Sequence, residues 1–75
     1  MLFPNPVQQL LTIEWDQTIL TSDIRVLDIT GREIKREYDF NNGETLDLTS
    51  LMNGMYLLEL TINDTVFTRK IIVQK

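Results

Sequence analysis

Along most of this chain apolar and polar residues alternate one for one. Leu11, Ile13 and Trp15 alternate with Thr12 and Glu14, Ile24 and Val26 with Asp23 and Arg25, and Leu46 and Leu48 flank Asp47. The cleanest case is Tyr56, Leu58, Leu60 and Ile62, with Glu59 and Thr61 between them. A period of two sends successive side chains to opposite faces of a strand. Each run therefore predicts a strand with one face on a core and one in water. The run Ile24–Ile29 is less regular, because Leu27 and Ile29 make its second face apolar as well. That fits either a fully buried strand or a slipped register.

Turn chemistry separates the runs. Thr30-Gly31 lies between Ile24–Ile29 and Arg32–Tyr38, where a glycine predicts a tight hairpin. Asn41-Asn42-Gly43 ends the next run, and Asn53-Gly54 precedes the Tyr56 strand. Asn63-Asp64 between the last two strands suits a type I′ hairpin. Thr49-Ser50-Leu51-Met52 has room for a single helical or 3₁₀ turn, and no longer helical stretch is expected. The expected fold is all-β: a small antiparallel immunoglobulin-like β-sandwich of about seven short strands. Pro4 and Pro6 make the start extended and poor in donors. Residues 1–7 then read as a linker junction and first short strand, and residues 8–75 as the sandwich.

Composition narrows the function. A 75-residue chain is one domain, and one of this size buries only roughly 60% of its unfolded surface. With no cysteine and no histidine, it has no disulfide, no thiolate nucleophile and no imidazole base or ligand. Stability must come from apolar burial, for which 43% hydrophobic residues provide the material. Seven basic residues are scattered among eleven acidic ones, the net charge is −4 and the pI is about 4.5. A nucleic-acid footprint needs a clustered basic face, so no nucleic-acid partner is expected. No segment is long and apolar enough to span a bilayer as a helix, and nothing near Met1 resembles a secretory leader.

Candidate chemistry is sparse. Asp28 with Glu33, and Asp16 with Asp23, are the carboxylate pairs that hairpins bring near one another. General acid–base work needs such a pair in a shared cleft with one pKa raised. Turn acids more commonly accept backbone hydrogen bonds, as Asp28 is expected to do across the turn to Gly31. Asn41-Asn42-Gly43-Glu44 has oxygen ligands but lacks a calcium-loop spacing, and it reads as a plain turn. No catalytic, metal or cofactor site is assigned. Strand alternation places Arg32, Ile34, Arg36 and Tyr38 on one face and Glu33, Lys35 and Glu37 on the other. That arrangement suggests cross-strand ion pairs and a charged, protected edge. Phe3, Trp15, Phe40 and Phe67 suit a core better than a sugar-binding platform in so small a domain.

The motifs taken in order say more. Leu2-Phe3-Pro4-Asn5-Pro6-Val7 opens the chain and Leu11-Thr12-Ile13 follows. Next come Ile24-Arg25-Val26-Leu27-Asp28-Ile29-Thr30-Gly31-Arg32-Glu33-Ile34 and Leu46-Asp47-Leu48-Thr49-Ser50-Leu51. Asn53-Gly54-Met55-Tyr56-Leu57-Leu58-Glu59-Leu60 and Phe67-Thr68-Arg69-Lys70-Ile71-Ile72-Val73-Gln74-Lys75 close the series. In this order and at these gaps the whole chain resembles the type A C-terminal sorting domain of the type IX secretion system of Bacteroidota.

The resemblance implies a non-enzymatic export signal at the end of a larger protein. Its partners would be an N-terminal cargo domain, the outer-membrane type IX translocon with its shuttle proteins, and a sortase-like cysteine peptidase that removes the signal. The scissile bond would lie upstream of the Pro-Asn-Pro block, with Met1 an added initiator. The route would run through the periplasm to the outer membrane and cell surface, or into the medium. Position by position, the resemblance marks Pro4, Asn5 and Pro6, then Gly54 and Tyr56, then Lys70 and Lys75, with Arg69 sharing the closing role, as candidates for translocon recognition. Gly54 and Tyr56 also suit plain structural roles, as a turn and as core filling. The closing strand is the stronger docking candidate, by strand addition and by its lysines. Weak self-association through open edge strands is a further expectation. The alternative is an immunoglobulin-like module that binds carbohydrate or protein.

Overall fold

The computed structural model describes residues 2, 3, 8–16 and 18–75, with the Phe3 side chain excepted. Seven strands run in chain order: β1 (Leu2–Phe3), β2 (Leu10–Ile13), β3 (Thr21–Leu27), β4 (Glu33–Asn41), β5 (Thr45–Asp47), β6 (Gly54–Ile62) and β7 (Thr65–Val73). No helix occurs among the described residues, and Thr49–Met52 is a plain turn closed by the Leu51 amide on the Leu48 carbonyl at 3.0 Å. A three-stranded sheet in the order β1-β2-β5 faces a four-stranded sheet in the order β4-β3-β6-β7, and every pairing is antiparallel. The expected β-sandwich is therefore the observed fold.

Much of the core is the set that period two selects, to which β7 adds Ile71 and Val73, while Trp15, Tyr56 and Ile62 of the same runs are only partly buried. Leu11 and Ile13 of β2, Leu46 and Leu48 around β5, Ile24 and Val26 of β3, and Leu58, Leu60, Ile71 and Val73 of β6 and β7 are buried between the sheets, joined by Phe40. Each buried aliphatic side chain is worth roughly 1.5–3 kcal/mol of transfer free energy, and this must offset chain entropy without any cross-link. Ser22 is the one buried polar residue described, and its hydroxyl donates to the Thr61 carbonyl at 3.0 Å.

Two bulges in the β3–β4 hairpin correct the simple face assignment. Val26 pairs with Lys35 and Leu27 with Glu33, so Ile34 is the extra residue. The bulge carries Glu33 to the face of Arg36, where it pairs with both Arg36 and Arg25, although strict alternation had separated Glu33 from Arg36. It also accounts for the irregular run at Leu27, which is buried but lies outside the inter-sheet core. Ile29 falls in the turn and is exposed. The second bulge sets Ser22 opposite Phe40 and Ile24 opposite Glu37. Asp39 takes φ 52° there, and its amide is held by the Asp23 carboxylate at 3.1 Å.

The turns follow their chemistry. Asn63 and Asp64 have φ of 50° and 65° in a two-residue loop between the paired Ile62 and Thr65, as a type I′ turn requires. In the loop 28–32, Asp28 Oδ1 accepts from the Thr30 amide and hydroxyl and from the Arg32 amide. The Gly31 amide goes to the Asp28 backbone carbonyl instead of its carboxylate.

Candidate functional site

The closing strand β7 lies at one edge of the four-stranded sheet and pairs with β6 along its length, from Thr65 opposite Ile62 to Val73 opposite Gly54. Its inward-facing positions Ile71 and Val73 are buried, whereas Arg69 and Lys70 are exposed. Lys70 stands opposite Leu57, on the face turned away from the core, and has no ion-pair partner among the described residues. Arg69 stands opposite Leu58 and uses one guanidinium nitrogen on the Thr68 carbonyl at 2.9 Å.

Lys75 is placed quite differently. It lies beside the loop 48–53 that joins β5 to β6. Its ammonium donates to the Thr49 carbonyl at 2.6 Å and the Leu51 carbonyl at 2.5 Å, and its amide donates to Asn53 Oδ1 at 3.0 Å. The half-buried Tyr56 packs its ring on the core and donates its hydroxyl to the Met52 carbonyl of the same loop at 2.6 Å. Gly54 opens β6 with φ 155°, a conformation that L side chains rarely adopt. A Cβ there would meet nothing closer than the Tyr56 ring at 3.9 Å, so the backbone angle and not space is what calls for glycine. The structure therefore gathers Gly54, Tyr56 and Lys75 around one loop and leaves Arg69 and Lys70 apart on the sheet edge. Pro4, Asn5 and Pro6 lie outside the described residues.

Asn53 was legible only as turn punctuation, and its carboxamide contact with Lys75 had no sequence signal. Backbone carbonyls such as those of Thr49, Leu51 and Met52 never have one. The loop is anchored at its start by Asp47, whose carboxylate accepts from the Thr49 amide at 2.9 Å and hydroxyl at 2.7 Å. Those bonds hold its pKa below the ordinary value, with smaller help from the charges of Lys35 and Lys75.

The carboxylates of the two candidate pairs are engaged by groups close to each of them. Thr30 and then Arg32 hold the Asp28 pKa down, while Arg36 and then Arg25 hold down that of Glu33. Asp16 is lowered by the Thr18 amide and hydroxyl, and Asp23 is engaged with Asp39. A general acid needs the opposite shift. The basic residues of β4 and of the loop before it are spent on neighbours: Arg36 on Glu33, Lys35 on Glu37 at 3.8 Å, and Arg32 on Asp28 at 3.3 Å. Asn41 bonds Glu44 at 3.0 Å, and Asn42 bonds the Trp15 segment, so neither side chain aims at a shared cation position. Of the aromatic residues, Phe40 is buried in the core, while Trp15 and the 41%-exposed Phe67 line an open cavity of about 620 Å³ beside β7.

A profile of the family described as the secretion system C-terminal sorting domain matches residues 1–74. The chain belongs to this family. No curated protein matches the chain in sequence. The sorting domain is thus a type IX secretion C-terminal sorting signal, a class that implies attachment to a cargo and export across the outer membrane to the cell surface or the medium. Its family is one of signals and not of catalysts.

Proposed function

We propose that this sorting domain delivers a cargo fused to its N-terminal side to the outer-membrane type IX translocon, reached through the periplasm with the help of shuttle proteins. A sortase-like cysteine peptidase then removes the domain upstream of Pro4-Asn5-Pro6. The observation that carries this reading is the family match across residues 1–74. The placement of the closing block supports it, because β7 is an edge strand with Lys70 exposed and unpaired among the described residues. Edge strands accept added strands from partners, and an exposed lysine favours an acidic partner. Arg69 lies beside it, and the same edge, with β4 opposite, is the route for weak self-association.

The test is a fluorescent reporter with an N-terminal signal peptide and this chain at its C-terminus. It is expressed in a type IX-competent bacterium and in a translocon-deficient strain. Reporter is expected on the surface or in the medium only in the competent strain, with the 75-residue chain missing from the exported product. Stable reporter retained in the periplasm of both strains would defeat the proposal. The cavity at Trp15 and Phe67 would then make a binding module the better reading.

A further inference from the structure

Residues 49–53 have little holding them by apolar burial. Only Leu51 packs against the core, and Met52 is 81% exposed. What orders the loop is a set of polar bonds from outside it. Lys75 takes the Thr49 and Leu51 carbonyls with its ammonium and Asn53 Oδ1 with its amide, and Tyr56 takes the Met52 carbonyl with its hydroxyl. Two of the three ammonium protons are thereby committed, in charge-assisted bonds that are stronger than neutral ones. Only the third ammonium proton is left to meet an acidic partner while both bonds hold. Lys70, on the outer face of β7, has no such commitment among the described residues.

We propose that Lys75 is a positioning residue and not a docking cation: it latches the loop 49–53, and export depends on the ordered loop, with Met52 at its crest, and not on charge at position 75. The second half of this statement rests on the sorting function. The first half stands on the geometry alone.

Asn53→Ala and Tyr56→Phe each remove a latch bond while keeping the lysine, and Lys75→Gln removes the ammonium. Amide hydrogen exchange of Leu51, whose N–H is held by the Leu48 carbonyl, is measured on the purified 75-residue chain, and export on the reporter fusion. Far-UV circular dichroism and Trp15 fluorescence establish that each variant is folded. All three variants are expected to raise exchange at Leu51 by about tenfold, the factor that about 1.4 kcal/mol of lost bonding produces. Export is expected to fall in all three. If Asn53→Ala and Tyr56→Phe speed exchange but export normally while Lys75→Gln abolishes export, Lys75 acts by its charge and the proposal is wrong. Unchanged exchange in all three would remove the latch itself. If the unaltered fusion is not exported by the competent strain, the sorting function fails, and the exchange data still decide the latch.

Discussion

Asn42 illustrates how one side chain can order a segment that has no strand of its own. Its Oδ1 accepts from the Trp15 amide at 3.1 Å, and its Nδ2 reaches the carbonyls of Trp15, Asp16 and Ile19 at 3.0–3.3 Å. Trp15 adds its indole N–H on the Ile19 carbonyl at 2.8 Å. The link between β2 and β3 is therefore pinned to the turn after β4, across the two sheets. Asn42→Ala should cost about 1–3 kcal/mol, because the Trp15 and Ile19 partners of the lost carboxamide stay half-buried without replacement. The checks are a lower urea midpoint at unchanged slope and a red shift of Trp15 emission. An unaltered midpoint would mean that the segment is held by its apolar contacts alone. In the sequence this residue was legible only as a turn former, since its bonding partners are backbone atoms 23 to 27 positions away.

Among the elements, the β6–β7 hairpin is the most local and was the most legible. Its turn residues, register and inward face all follow from the Asn63-Asp64 pair and the alternation around it. Asp64 nonetheless sits at φ 65°, which a residue with a Cβ adopts at some cost. Asp64→Gly should stabilise the domain by about 0.5 kcal/mol, the relief of that strain less the extra freedom glycine gives the unfolded chain. Thermal denaturation is the check, and a lower melting temperature would contradict it. The β3–β4 hairpin was legible in its existence but not in its register, because a bulge leaves no mark in the alternation until the partner strand is known. Arg25 of the inner strand β3 bridges Glu33 of the edge strand β4 and Glu59 of β6 at 2.7 and 2.9 Å, and Arg36 of β4 also meets Glu33. Such exposed pairs contribute little stability. Their use is to cover the edge with charge.

For the molecule as a whole, the acid limb of stability follows from its carboxylates. Asp16, Asp28 and Asp47 have folded pKa values below their ordinary 3.8, and Glu33 below its ordinary 4.5. Across that window the unfolded chain binds more protons than the folded one, so stability rises with pH there. The contribution is complete above the ordinary values and is lost as pH falls through them to the depressed folded values. With no histidine, no step is expected near neutrality. Urea midpoints between pH 8 and 2.5 should be level at the top and decline below about pH 4.5. A midpoint that holds level or rises on acidification would refute the assignment. Architecture divides in the same way between near and far. The sequence alone determined the all-β class, most of the strands and turns, and the inward residues of the regular runs in β2, β3 and β6, because each depends on neighbours two to four positions away. It also carried the order of motifs that marks the family. Only the tertiary structure decided that β2 pairs with β5 and β3 with β6, that Glu33 changes face, and that Lys75 is tied to the loop 49–53 while Lys70 stands free of ion pairs among the described residues. Those outcomes depend on where distant backbone carbonyls and partner strands arrive in space, and a carbonyl looks the same at every position of a sequence.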